Sequence, residues 1–231
     1  LNEPEMYAMN SYLRVVWPPQ KKSILKFVRV LNNLAKAHKT IYSNVLKNIG
    51  MGLRIGIAKN NVYFEGWLAP VLNYFWNNWF LNKIENHQDF IGLNYYFHNR
   101  INGFKLNQNE NQLTSDMGWE IYPEGIYHVL KDLKKYSKPI YITENGIADA
   151  KDIHREKFIK EHLRWVHKAI SEGADVRGYF YWSLLDNFEW DKGFWPRFGL
   201  VEIDYKTMAR RIRQSAWTYA KIAKENSLNL L

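Results

Sequence analysis

Residues 139–146 read PIYITENG, a short apolar strand that stops abruptly in a carboxylate, an amide and a glycine. An amphipathic stretch follows at residues 153–171, where Phe158, Ile159, Leu163, Val166 and Ile170 recur at helical spacing before a stop near Gly173. RGYFYWS at residues 177–183 is then another short apolar strand. Strand, helix and strand in that order make a crossover unit, which joins parallel strands.

The same alternation extends outward. DFIGLNYY (residues 89–96) and residues 53–58 read as two further strands. Residues 23–48 carry Ile24, Phe27, Val28, Leu31, Leu34, Ala35, His38, Ile41, Tyr42, Val45 and Leu46 at intervals of three and four, a helix with one buried face. Gly50 and Gly52 follow it as stop signals, and His38 in the apolar stripe reads as a satisfied core histidine. Residues 67–84 are aromatic and helical in pattern but interrupted by Pro70. Residues 102–116 show no period, Pro123 and Glu124 open a helix through Tyr136, and residues 208–224 form a closing helix. Apolar strands between helices predict an α/β parallel sheet covered on both faces. Four strands cannot close a barrel that needs eight, so the chain is a small open sheet or half of a barrel. No linker divides it, and residues 1–231 read as a single domain.

Composition narrows the function. The 231 residues are 46% hydrophobic and 24% charged, which excludes disordered, collagenous and coiled-coil classes. No apolar run is long enough to span a membrane. The absence of Cys removes disulfides, thiolate zinc sites and thiol catalysis, and is compatible with a cytoplasmic setting. A net charge of +9 raises the question of nucleic acid, but the cations are scattered, as at Lys131, Lys134 and Lys135, and read as a solvated surface. Ten Trp and fifteen Tyr suit either a large aromatic core or the flat faces that sugar rings lie against.

Polar residues gather where strands end. Asn94 and Tyr96 close one strand; Glu144, Asn145 and Gly146 close the next; Trp182 closes the last and runs on to Asp186, Asn187, Glu189 and Trp190. Asn2, Glu3 and Pro4 open the chain where a preceding strand would finish. The carboxyl edge of a parallel sheet is where ligands bind, so Glu3 and Glu144 emerge on the chemical side. Two carboxylates across a sugar are what glycoside cleavage requires, one protonated for the leaving oxygen and one ionised for the oxocarbenium-like centre. Nothing competes: there is no G-x-S-x-G serine, no H-E-x-x-H metal spacing and no glycine-rich phosphate loop, so no cofactor or metal is expected.

NEP (residues 2–4), DFIGLNYY (89–96), MGWEIYPEG (117–125), ITENG (142–146), WSLLDNFEW (182–190) and RFGLVEIDY (197–205) together resemble glycoside hydrolase family 1, the β-glucosidase family, in the family's own order. The resemblance implies a retaining β-glycosidase on a (β/α)₈ TIM barrel, with a small-molecule β-glycoside as substrate. It implies Glu3 as general acid/base, Glu144 as nucleophile, Asn2 on the sugar 2-hydroxyl, and Tyr96 as a donor to Glu144 with Asn94 beside it. Glu189 and Trp190 match the pair that holds the far hydroxyls, Trp182 the floor, Phe198 a wall and Trp119 a platform for the leaving group. A carboxylate at Glu189 would repel a phosphate, which points to a non-phosphorylated terminal glycone. The family's first three strand–helix units have no counterpart here, and with them go a glycone-binding Gln, a His-Trp pair and an Arg that supports the nucleophile. The chain, opening on Leu1, is therefore expected to be the C-terminal half-barrel, from the end of the fourth strand through the eighth and a closing helix. Its missing N-terminal half is its expected partner, and the alternative is a catalytically silent fragment with at most weak sugar binding. Isolated, such a half would expose two sheet edges and the barrel interior.

Overall fold

In the computed structural model, which describes residues 1–49, 52–110 and 113–228, four parallel strands stand side by side in chain order. They are β1 (Gly56–Glu65), β2 (Phe90–Arg100), β3 (Ile140–Asn145) and β4 (Val176–Tyr181). A doubly wound sheet reverses its strand order at a switch point; here each strand simply neighbours the next, as in a barrel wall. The tip of one more strand is present: Asn2 bridges Ala58 in parallel, the Glu3 N–H donates to the Ala58 carbonyl at 2.8 Å, and the Ala58 N–H donates to the Leu1 carbonyl at 3.1 Å.

Four helices cover one face. They are α2 (Ile24–Ile49), α4 (Trp79–Ile84), α5 (Glu124–Leu133) and α6 (Arg155–Ser171). Ile57, Ile91, Leu93, Ile140 and Ile142 of the strands are buried in one core with Leu31, Phe80, Ile126 and Val166 of these helices. Alternate residues point the other way, where Phe90 and Tyr141 meet edge-on at 5.3 Å and Phe180 is 58% exposed. Coverage on both faces, expected from the apolar strands, is thus corrected. A barrel interior is itself packed with large side chains, so both faces of each strand read as apolar.

Several boundaries move for local reasons. The first strand begins at Gly56 and runs on through Glu65, although Asn60 and Asn61 are poor strand formers. Asn77 clamps it, its Oδ1 accepting from the Val62 N–H at 2.9 Å and its Nδ2 donating to the Val62 carbonyl at 2.8 Å. Pro70 opens rather than interrupts the following helical run: α3 (Ala69–Leu72) starts there, and a π-helical turn (Asn73–Asn78) joins it to α4. Helix α6 starts at Arg155 because the Asp149 carboxylate accepts from the His154 and Arg155 N–H groups at 2.8 and 3.0 Å. The closing helix is shorter than its pattern. Residues 201–203 and 210–212 form an antiparallel pair, β5 (Val201–Ile203) and β6 (Arg210–Ile212), and α7 runs only from Gln214 to Glu225. Asp204 turns the chain between them by accepting from the Lys206 N–H at 2.9 Å.

Ser23 caps α2, its Oγ accepting from the Lys26 N–H at 3.3 Å. On that helix Leu31, Ala35 and His38 are buried, but Ile24, Val28 and Ile41 are exposed, so only part of the expected stripe faces this core. Ile170 of α6 is likewise exposed. The His38 Nε2 meets the His87 carbonyl at 2.7 Å, which satisfies the ring. Gly52 lies in a turn, while the stop signal at Gly50 falls outside the described residues. Among the described residues no helix is long and apolar enough to cross a membrane.

Candidate active site

Glu3 ends the strand tip and stands immediately before α1 (Pro4–Tyr12), a helix that the sequence pattern does not announce. Its backbone is left-handed, with φ 42° and ψ 59°. Non-glycine residues rarely adopt that conformation, and it concentrates where a side chain must be aimed. Glu144 leaves β3 one residue before Asn145, whose Nδ2 donates to the Tyr95 carbonyl at 2.7 Å and ties this strand end to β2. The next residue must be glycine for a steric reason. A Cβ on Gly146 would lie 1.8 Å from the Trp182 carbonyl oxygen, so the ends of β3 and β4 could not touch.

These strand ends bring the two carboxylates to neighbouring donors at one edge of the sheet, within each other's electrostatic reach. Fully buried Asn94 donates from Nδ2 to Glu3 Oε1 at 2.9 Å and to Asn2 Oδ1 at 3.1 Å. Asn60 of β1 donates to the same Glu3 oxygen at 3.2 Å. The Tyr96 hydroxyl donates to Glu144 Oε2 at 2.9 Å. Thr143 holds the other end of the shared amide, its hydroxyl donating to Asn94 Oδ1 at 2.6 Å. Glu3, Glu144, Asn2, Asn94 and Tyr96 therefore form one cluster at the carboxyl edge.

Burial dominates the electrostatics. It raises the Glu3 carboxyl above the usual carboxylate range, against the hydrogen bonds of Asn94 and Asn60 and the charge of Lys59. Burial, followed by the Glu3 charge, pushes Glu144 up to about 7, and the amide and phenol donors offset only part of that. Glu189 is pushed to about 7 by burial and then by Glu3, which shows it within electrostatic reach. A carboxyl whose folded pKa is raised stabilises the fold fully below its unfolded value and loses that contribution as pH rises through the folded value. His162, driven down to about 3 by burial, acts in the opposite sense on acidification, so the parent's pH curve mixes both. The comparison with Glu189→Gln separates them. The variant is expected to gain stability over the parent as pH rises from about 5 to 8, by on the order of 2 kcal/mol. Urea unfolding at several pH values checks this, and a difference that stays flat with pH contradicts it.

Aromatic rings line one side. Trp119 meets Tyr96 at 5.8 Å, Phe97 at 4.7 Å and Phe198 at 6.0 Å, and Phe198 itself is buried. Trp182 is half-buried at the end of β4. Trp190 is 61% exposed and leans on Trp17 at 4.9 Å, while the Trp17 indole N–H donates to Asp191 at 2.9 Å. Thus Trp119 and Phe198 join the carboxylate cluster through Tyr96, while Trp190 packs on the neighbouring loop.

Residues 183–200 are anchored by Asp186, which sequence reasoning left without a role. Its buried carboxylate takes both Arg213 nitrogens at 3.0 and 3.1 Å, Arg197 at 3.3 Å and the Gly199 N–H at 2.9 Å. Trp17 and Asn60 were also missed. Asn60 sits one residue beyond the expected strand, and extending the alternation would have placed it beside Asn2. Among the described residues no group of His, Asp and Glu could hold a metal ion.

Comparison with known proteins gives this arrangement its class. The β-glycosidase from Pyrococcus horikoshii superposes with a TM-score of 0.91 at 39% identity, over 99% of this chain and 60% of that one. The β-glucosidase from Thermotoga maritima in complex with glucoimidazole gives 0.90 at 31%, over 99% and 63%. β-Glucosidase A of Thermotoga maritima is 36% identical, over 99% of this chain and 63% of its own length. The fold is therefore a partial barrel of the TIM-barrel β-glycosidases, and the chain spans about 63% of that curated relative. The profile for glycosyl hydrolase family 1 matches residues 78–228, and the chain belongs to that family.

Proposed function

We propose that this chain carries the paired carboxylates of a retaining exo-β-glycosidase acting on non-phosphorylated terminal β-glycosides, completed by an N-terminal half-barrel of the same protein. The observation that carries this reading is a pair of donors two residues apart on β2: Asn94 hydrogen-bonds Glu3 at 2.9 Å and Tyr96 hydrogen-bonds Glu144 at 2.9 Å. Each carboxylate charge opposes ionisation of the other. In the completed site Glu3, the acid/base, holds a proton and delivers it to the glycosidic oxygen as that bond breaks. Glu144 attacks the anomeric carbon to form a covalent glycosyl-enzyme. Glu3, now ionised, takes a proton from water, which displaces Glu144 with net retention.

In this reading Asn2 takes the sugar 2-hydroxyl, Glu189 and Trp190 the far hydroxyls, Trp182 the floor under the ring and Phe198 a wall, and Trp119 supports the leaving group. The raised Glu144 fits a half-site, because a cation supplied by the missing strands would draw it back down. The second reading, a silent fragment, is favoured by the bare interior face around Phe180. An assay of the 231-residue chain with an aryl β-glucoside separates them, alone and after co-expression with the first three strand–helix units of a relative. Turnover only in the co-expressed sample, with retained anomeric configuration in the product, is the expected result. Inversion, or no turnover in either sample, overturns the proposal.

A further inference from the structure

Close to Glu3 lies a charge pair to which this chemistry gives no part. Lys59 of β1 and Glu5 of α1 are 0% and 2% exposed, with Nζ 3.3 Å from Oε1. The ammonium also donates to the carbonyls of Asn60 at 2.6 Å and Trp76 at 2.9 Å. Glu5 Oε2 has no hydrogen-bond partner. An ion pair this deeply buried contributes less than apolar residues of the same volume would, and an unsatisfied carboxylate oxygen adds to its cost. Its position gives it a use. Glu5 lies two residues beyond Glu3 in the first turn of α1, and Lys59 adjoins Asn60, which donates to Glu3. The fields reach Glu3 and Glu5 alike: the Lys59 charge favours ionised Glu3, and the Glu3 charge opposes ionisation of Glu5.

We infer that Glu5 and Lys59 are a positioning pair for Glu3, a buried electrostatic counterweight in which Lys59 favours its carboxylate form and Glu5 its carboxylic acid form. The inference rests on the reading of Glu3 as the acid/base. An acid/base group must hold a proton in one half of the reaction and release it in the next, so neither form can be strongly preferred. A lone buried ammonium would favour the carboxylate and a lone buried carboxylate the acid; paired, they act on Glu3 in opposite senses. The other groups facing Glu3 are Asn94 and Tyr96 from β2, Glu144 from β3 and Glu189 from the segment after β4. None of these changes in the test below.

The test reads Glu3 directly in the 231-residue chain, without substrate. Glutamate labelled with ¹³C at the carboxyl carbon is titrated by NMR, and the Glu3 signal is assigned by its loss in Glu3→Gln. Lys59→Met is expected to move the Glu3 midpoint up and Glu5→Gln to move it down, each by about one pH unit. The double variant is expected to return it close to the parent. Sucrose, which favours the buried state, keeps the single variants folded for the measurement. Shifts of the same sign, or none, overturn the pairing, because a merely structural pair has no reason to move Glu3 in opposite directions. Opposite shifts in a chain that never turns over, even when co-expressed, would keep the pairing and remove the glycosidase reading.

Discussion

On the proposed mechanism, Glu144→Gln in the assembled barrel is expected to lower turnover of an aryl β-glucoside by about 10⁴-fold or more, because the glycosyl-enzyme forms on Glu144. Glu3→Gln behaves differently, and the contrast is the sharper test. Loss of the acid matters most for a poor leaving group. A glycoside with an acidic nitrophenol departs without help, so the first step survives and the glycosyl-enzyme accumulates for want of a base. A small anionic nucleophile such as azide needs no deprotonation, so it is expected to restore turnover in Glu3→Gln and give a product of retained configuration. It cannot do so in Glu144→Gln by the same route. Rates with and without azide for both variants, with the anomer of the product, check this. Equal rescue of the two, or of neither, would exchange or cancel the roles given to Glu3 and Glu144.

Arg213→Met is expected to destabilise the fold by about 3–5 kcal/mol, a large part of the roughly 5–15 kcal/mol that holds a domain together. Asp186 is fully enclosed, and Arg213 meets both of its oxygens while also donating to the Gly199 carbonyl at 2.7 Å. Without the guanidinium the carboxylate keeps only the longer contact to Arg197 and its backbone donors. The penalty is that of a buried, under-compensated charge, not of one lost contact. Urea unfolding of parent and variant at pH 7 measures it, and a loss below about 1 kcal/mol would show the anchor to be dispensable. The variant should also release the segment that carries Glu189 and Trp190, visible as a change in the environment of the Trp17–Trp190 pair.

Much of this was legible in the chain because strand ends announce themselves. PIYITENG and DFIGLNYY each change from apolar to polar within one residue, and that change marks the carboxyl edge where Glu144, Asn94 and Tyr96 meet. Periodicity left half-barrel or open sheet undecided, since a filled barrel interior and a helix-covered face are both apolar; the six family-like motifs pointed to the half-barrel. What separates them is the unbroken strand order. Helix α1 was invisible because nine residues mixing Glu5, Asn10 and Ser11 with apolar neighbours show no stripe, and all three of those polar groups are buried. β6 was hidden inside the helical pattern of residues 208–224, and its partner β5 lay just before it, across the turn that Asp204 holds. Asp186 carried no motif of its own, because its partners lie 11 and 27 residues away.

One small contact has a wider effect. An asparagine side chain can rotate by half a turn and exchange its oxygen for its nitrogen with almost no change in shape. At Asn94 the choice is made by Glu3: its ionised carboxylate only accepts and so takes the amino end, while the Thr143 hydroxyl, able to donate or accept, serves the oxygen. With the amino end committed to Glu3 and Asn2, a flip would set a lone pair against the charged acid, so the charge on Glu3 also keeps its neighbour's amide the right way round.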